Sequence, residues 1–363
     1  MTESLLVHQD CRQFRGDRPC QPHKKEGVIC EGCPHYDPVA SRILVIKLGA
    51  IGDVIRTTPL LAPLRQKYPN SEITWITWTP EVVPTRSFHP DAPDIILPWK
   101  WESVITILHS KFNVVINLDK DPDACSVAES LDASEKFGFG WECNRPRPLN
   151  DLARHKFLTG VFDNVSRANR KSYPGEIIEM CGLEYQKQPY VLDPHLEESV
   201  PEGLPSIRPL VGLNTGCSPR WSSRMWPEQH WVRLATLLKE SGFGVVLLGG
   251  KDEDQKNRRI AVASQSIYPG TFPLPRFIRL VGEIDLMVTS VTMALHIAIG
   301  LGKKVVLFNN IFNRHEFELY GRGVVVEPEI ECDCYYQPVC KNNCIATIVP
   351  ARVMEQCRRL LTQ

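Results

Sequence analysis

The chain has 363 residues, 43% hydrophobic and 23% charged, with 42 basic and 42 acidic side chains that cancel. That length predicts two domains of about 150 residues each, and the charge balance provides no global field for nucleic acid, so no nucleic-acid partner is expected. No apolar run reaches the roughly 18 residues of a membrane span, and residues 1–20 carry neither an apolar signal core nor a small-residue cleavage site, so a cytoplasmic location is expected.

Residues 1–40 are polar, show little periodicity and carry Cys11, Cys20, Cys30 and Cys33. In a large intracellular chain, clustered cysteines point to metal ligation rather than disulfides. The Cys30-x-x-Cys33 spacing lets two thiolates grip one tetrahedral ion, and so short a segment has no core to order it otherwise. Structural zinc is the expectation and an iron–sulfur cluster the alternative. His23 and His35 are substitute ligands or, more plainly, solvent-facing imidazoles.

Residues 43–46, Ile-Leu-Val-Ile, read as a parallel strand covered on both faces, ending in a turn with Gly49 and Gly52. Asp53 falls where a helix N-cap is preferred. A carboxylate just past a first parallel strand also borders the crevice where open α/β sheets bind ligands, and there it would act as a base. A helix over 54–68 kinked by Pro59 follows, then strands at 73–77, 94–97 and 113–118. Strands alternating with helical spacers predict a Rossmann-like α/β domain. The dinucleotide fingerprint G-x-G-x-x-G is missing, so a nicotinamide cofactor is not expected.

Between 145 and 171, Arg145, Arg147, Arg154, Lys156, Arg167, Arg170 and Lys171 face only Asp151 and Asp163. The stretch reads as loop and short helix. It is either a solvated face or a landing surface for an anionic acceptor or acidic membrane. Residues 193–209 are rich in proline and acid and read as a linker. The domains are expected at 41–195 and 210–348, with 196–209 joining them.

A second αβ series begins with a strand at 210–214 and a helix at 228–241 bearing Trp231, Leu234, Leu237 and Leu238 on one face. Strands at 245–248, 285–289 and 304–308 follow, with a helix at 292–301. Two Rossmann-like halves make a cleft suited to a small ligand. Cys332, Cys334, Cys340 and Cys344 then crowd into thirteen positions, which favours metal or cluster ligation. Pro350 opens a last helix, so the segment 349–363 closes the chain. Cys125, Cys143, Cys181, Cys217 and Cys357 stand alone and read as packing residues, with Cys217 in a candidate ligand loop.

Three stretches, 43–69, 211–250 and 285–308, together resemble glycosyltransferase family 9, the family of bacterial ADP-heptose transferases of lipopolysaccharide synthesis. The resemblance implies a GT-B fold and inverting transfer from a nucleotide-diphosphate sugar with no catalytic metal. The implied acceptor is a hydroxyl of a lipopolysaccharide-like or other anionic cell-surface glycan, with peripheral contact at the inner membrane. Such chemistry needs a base for the acceptor hydroxyl, donors for the leaving diphosphate, and alignment of the two reactants.

By resemblance Asp53 is the base, and Gly49 and Gly52 let backbone approach substrate. The basic cluster, rather than the resemblance, offers Arg145 and Arg147 as acceptor-side cations. Arg224 takes the place of the family's cationic phosphate contact, with Thr215, Ser218 and Arg220 as further donors and Glu253 on the nucleoside. The family's Asp-Thr-x-x-x-His is here Val291-Thr292-Met293-Ala294-Leu295-His296. Thr292 and Met293 keep the backbone grip on phosphate, and His296 is either a site residue or a core histidine. Val291 cannot bond a sugar hydroxyl, which points to a different sugar or to a retired transferase that senses nucleotide sugars or scaffolds an assembly. Redox chemistry on the cysteines is a third reading.

Overall fold

Ile43, Leu44, Val45 and Ile46 are fully buried at the centre of a six-stranded sheet in the computed structural model, which describes residues 5–362. Its strands are β1 (Ser41–Ile46), β2 (Ser71–Thr77), β3 (Ile95–Pro98), β4 (Val114–Asn117), β5 (Glu135–Glu142) and β6 (Arg145–Pro148), in the order β3-β2-β1-β4-β5-β6. All pairs are parallel except β5 with β6. A strand buried on both faces needs apolar residues at every position, which explains the uninterrupted run.

The second sheet is parallel throughout: β7 (Leu210–Asn214), β8 (Gly244–Leu248), β9 (Leu286–Ser290), β10 (Lys304–Phe308) and β11 (Gly323–Val326), ordered β11-β10-β9-β7-β8. Helices Glu228–Glu240 and Pro350–Thr362 bury Trp231, Leu234, Leu238, Val353, Met354 and Cys357 against it. Strand order reverses about β1 and about β7, and in such sheets the crevice outside the carboxyl ends is where ligands bind. Two facing Rossmann-like sheets of this kind make an α/β fold of the GT-B type. No helix among the described residues is long and apolar enough to cross a membrane.

Two local expectations are corrected. The helix expected over 54–68 is broken into Ile51–Ile55, a 3-10 turn Thr58–Leu60, and Leu61–Lys67. Pro59 has no N–H to return to the Ile55 carbonyl, and the Thr58 hydroxyl donates to that carbonyl at 2.8 Å instead. The basic stretch, expected as loop and short helix, opens instead as β6, the outermost strand, where Arg145 and Arg147 alternate with prolines, and continues into the short helices Arg154–Thr159 and Asp163–Ala168. Proline is tolerated on an edge because one side of its backbone needs no ladder partner.

Candidate active site

The carboxyl ends of β1, β7, β8 and β9 open into one cleft of 790 Å³ lined from both domains. From the first domain Gly52, Asp53 and Arg56 reach it. Asp53 sits in the third position of the Ile51–Ile55 helix, not at its N-cap, which is Ala50. One carboxylate oxygen accepts the Ala50 N–H at 3.3 Å and the other meets Arg56 Nη2 at 2.8 Å. Burial pushes the carboxyl up, but Arg56 and then Lys47 outweigh it and hold Asp53 below the usual carboxylate range. Its side chain stays 35% exposed, so the charge faces the cleft.

Arg56 extends this charge across the domain boundary. It pairs with Glu316 of the second domain at 3.0 Å, and its guanidinium lies 3.6 Å from the centre of the Tyr173 ring. Lys47, buried beneath, donates to Asp119 at 2.6 Å and to the Gly49 carbonyl at 2.8 Å. Lys47, Arg56, Asp119 and Glu316 were missed in the sequence. A lysine ending an otherwise apolar strand, and an arginine three residues after an aspartate on a helix, were the available signals.

Gly49 and Gly52 do not make room for substrate as expected. A Cβ on Gly49 would lie 2.8 Å from the Trp78 ring, and one on Gly52 would lie 2.6 Å from His296 Cδ2 and 3.4 Å from Met293 Cα. Protein already fills both spaces, although Gly52 also borders the cleft. His296 borders it too but is 5% exposed, stacks 6.2 Å from Tyr190, and leaves Nδ1 without a partner. Burial first, and Arg56 second, bring its pKa down to about 3, so the imidazole is neutral.

From the second domain, Thr292 stands at the N-cap position of the helix Met293–Gly300 with its hydroxyl not bonded to the helix N–H groups, and both Thr292 and Met293 line the cleft. Asn214 Nδ2 donates to Thr289 Oγ1 at 2.9 Å and to Thr292 Oγ1 at 3.3 Å, fixing this helix start against β7. Ser218, Arg220 and Arg224 follow β7 and line the opposite wall. The Arg224 guanidinium donates to the Val291 carbonyl, so part of it is committed to protein. Glu253 accepts the Gly250 N–H at 2.9 Å, and a Cβ on Gly216 would lie 2.3 Å from its carboxyl carbon, so Gly216 is what lets Glu253 reach the cleft.

Thr215 is outside this set. Its hydroxyl donates to Asn257 Oδ1 at 2.5 Å and is buried away from the cleft, tying the loop to the helix Asp254–Ser264. Arg145 and Arg147 are outside it as well. Arg147 pairs with Glu129 at 2.8 Å and Glu142 at 3.7 Å, and Arg145 is exposed with its guanidinium on the Asn144 carbonyl. Edge strand β6 carries both away from the strand ends that open on the cleft.

The two cysteine groups behave differently. Sulfurs of Cys332 and Cys340 are 3.5 Å apart, Cys334 and Cys344 3.4 Å, and Cys340 and Cys344 3.6 Å, with all four atoms within 4.8 Å of one another. Four thiolates at about 2.3 Å from one ion would stand roughly 3.8 Å apart, so this donor set fits a single tetrahedral ion. The loop also reaches the cleft: Tyr336 meets Glu316 at 3.2 Å, and Tyr335 meets Ser166 Oγ of the first domain at 2.8 Å. The Gln337 and Pro338 carbonyls accept from Ser223, beside Arg224. In contrast, among the described residues no three ligand atoms including those of Cys11, Cys20, Cys30 and Cys33 come within 4.8 Å of one another. The structural zinc expected on these cysteines therefore lacks the converged donor set seen at 332–344.

A profile of glycosyltransferase family 9 (heptosyltransferase) matches residues 103–322. The chain is 23% identical over 237 residues to lipopolysaccharide heptosyltransferase 1 of Escherichia coli K12, covering 61% of this chain and 72% of that protein. The structure of E. coli ADP-heptose lipopolysaccharide heptosyltransferase II superposes with a TM-score of 0.63 at 18% identity, over 89% of this chain and 99% of that one. The dodecameric iron-containing heptosyltransferase TibC in complex with ADP-D-β-D-heptose, from E. coli, superposes at 0.56 with 13% identity, over 88% and 76%.

Proposed function

Since the chain belongs to glycosyltransferase family 9, and is therefore a glycosyltransferase, we propose that it moves a heptose-type sugar from an ADP-sugar to a hydroxyl of a lipopolysaccharide-like acceptor, with inversion. The supporting observation is that Asp53 of one domain and the Thr292–Met293 helix start of the other line the same cleft. Names of relatives support the donor and acceptor classes.

In this reading the donor diphosphate lies against the backbone N–H groups and positive end of the Met293–Gly300 helix, with Ser218, Arg220 and the free part of Arg224 as further donors. They stabilise charge developing on the leaving group. Glu253 meets the ribose, and Phe272 and Phe277 offer the nucleobase an apolar wall. Asp53, kept ionised by Arg56 and Lys47, takes the acceptor proton as the new bond forms. A carboxylate so weakly basic contributes when the hydroxyl acidifies, in the transition state.

Val291 leaves the sugar without the family's carboxylate. Glu316 and Asp252, which line the cleft, are the carboxylates left for its hydroxyls. The acceptor's anionic groups are assigned to the exposed cations of the 154–171 stretch, a face that also suits peripheral membrane contact. Cys332, Cys334, Cys340 and Cys344 hold one structural ion, zinc by preference and iron as in TibC by alternative, because four protein thiolates close its coordination shell.

Incubation of wild type and Asp53→Asn with ADP-heptose and a lipopolysaccharide acceptor tests the reading. Transfer by the wild type, lost in the variant with donor binding retained, is the expected outcome. Val291 favours one other reading, a nucleotide-sugar sensor. Binding by the wild type without transfer from any of a panel of nucleotide sugars would establish that instead.

A further inference from the structure

None of the residues 5–42 is buried, and Leu5, Leu6, Val7 and Ile29 are exposed apolar side chains. The segment nevertheless has a defined path. Cys11 bridges to Pro38, and Arg12 pairs with Asp37 at 2.9 Å and with Asp94 of the first domain at 2.8 Å. Tyr36 donates to Asp10 at 2.5 Å, and its ring stacks 4.2 Å from His8. Polar pairs at or near the surface contribute little each. They cannot replace the apolar burial that normally offsets the ordering of more than thirty residues.

What the segment encloses is a cavity of 310 Å³, and Cys11, Cys20, Cys30 and Cys33 all lie on its wall. All four are free thiols, so no disulfide staples the segment. A single tetrahedral ion requires the sulfurs to converge, as they do in the 332–344 loop. Here they surround a common space without converging. Four thiols lining one cavity, with no three of their sulfurs within 4.8 Å of one another, suit a polynuclear core, whose bridging sulfides lie between the irons and hold the terminal thiolates apart.

From this placement we infer that residues 5–38 form an iron–sulfur cluster module, with Cys11, Cys20, Cys30 and Cys33 as the four thiolate ligands and the cluster serving as the segment's core. Arg12 docks the module on Asp94 and on the Ser71 carbonyl. Ser71 begins β2 and Asp94 directly precedes β3, so the module sits at the amino ends of the strands, opposite the end that opens on the cleft. The cluster is therefore remote from Asp53 and takes no part in sugar transfer.

The test uses the full-length protein, purified without oxygen and reconstituted with ferrous iron and sulfide. Expected are acid-labile sulfide together with a broad visible absorption band. Cys30→Ser/Cys33→Ser should lose both while retaining ADP-sugar binding, and Cys340→Ser/Cys344→Ser should retain both. Reconstituted wild type without labile sulfide would overturn the inference, as would sulfide that follows the 340/344 pair. Should the 30/33 variant fail to fold, the 340/344 variant decides: labile sulfide it retains assigns the cluster to the N-terminal group, and sulfide it loses overturns the inference. Because ADP-sugar binding is read separately, failure of the cluster leaves the transferase reading untouched.

Discussion

Gly52 and His296 compete for one space across the domain boundary: a Cβ on Gly52 would stand 2.6 Å from His296 Cδ2 and 3.4 Å from Met293 Cα. The helix carrying the proposed base thus rests directly on the helix whose start lines the donor side. Gly52→Ala should wedge the two apart. Overpacking of this kind costs about 1–3 kcal/mol, and here it falls on the alignment of the reactants. A loss in kcat/KM of about tenfold or more is expected, with a modest fall in Tm. Wild-type kinetics for G52A would show that the contact does not set domain geometry.

Asp53→Asn should lower kcat by about 10²- to 10⁴-fold, the span general bases contribute, with donor affinity in calorimetry essentially unchanged. Since Arg56 holds the Asp53 carboxyl below its usual range, the acidic limb of the kcat/KM profile should lie below that range in the wild type. Arg56→Gln should move the limb to higher pH. A limb that stays in place would separate Asp53 from the titration that controls rate.

His296 takes up a proton at about pH 3 when folded, against 6.5 unfolded, because burial and Arg56 disfavour the cation more than Asp53 favours it. Between those values the unfolded chain binds the extra proton, so stability falls as pH falls. The slope from this group approaches about 1.4 kcal/mol per pH unit. Relative to wild type, His296→Gln should therefore gain about 2 kcal/mol on going from pH 7 to pH 5. Denaturant melts of both proteins at the two pH values would reveal it.

The Ser223 side chain donates to the Gln337 carbonyl at 2.8 Å and its N–H to the Pro338 carbonyl at 3.0 Å. The thiolate loop thereby braces the turn that carries Arg220 and Arg224. Removing the proposed ion with a strong chelator, or by Cys344→Ser, should loosen both bonds, each worth about 1 kcal/mol. The expected result is a rise of about tenfold in the KM for the ADP-sugar, with a smaller change in kcat. Unaltered donor kinetics in metal-free protein would confine the ion to local stability.

Arg147 is tied to Glu129 and Glu142 on the outermost strand. Arg147→Ala should leave the acceptor KM within about twofold and cost less than about 1 kcal/mol, the worth of an exposed ion pair. A large rise in acceptor KM would return this edge to the binding surface.

The strands were legible wherever burial on both faces forces a continuous apolar run, as in β1, β7 and β10. They were not legible in β6, whose prolines read as a loop because only an edge excuses them, nor in the glycine-bearing β5 and the short edge strand β11. Asp53, Arg224, Glu253, Thr292 and Met293 were picked out by family resemblance, and Ser218 and Arg220 as further donors beside Arg224; all of them line one cleft. Thr215 was named alongside those donors, and Arg145 and Arg147 for their charge; Thr215 and Arg147 are engaged by side chains that sequence order gives no hint of, while Arg145 rests on the carbonyl of its neighbour Asn144. Asn257, 42 positions beyond Thr215, is one such partner.

The order of apolar runs and spacers, by itself, determined two parallel α/β sheets, because strand and helix periodicities are local properties of the chain. It also supplied the cysteine spacings. Tertiary structure alone decided that Gly52 serves His296, that Arg56 joins Asp53 to a glutamate 260 positions beyond Arg56 itself, and that one cysteine group converges while the other surrounds a cavity. These outcomes depend on distances between segments far apart in the chain, and such distances are set only when the two domains pack.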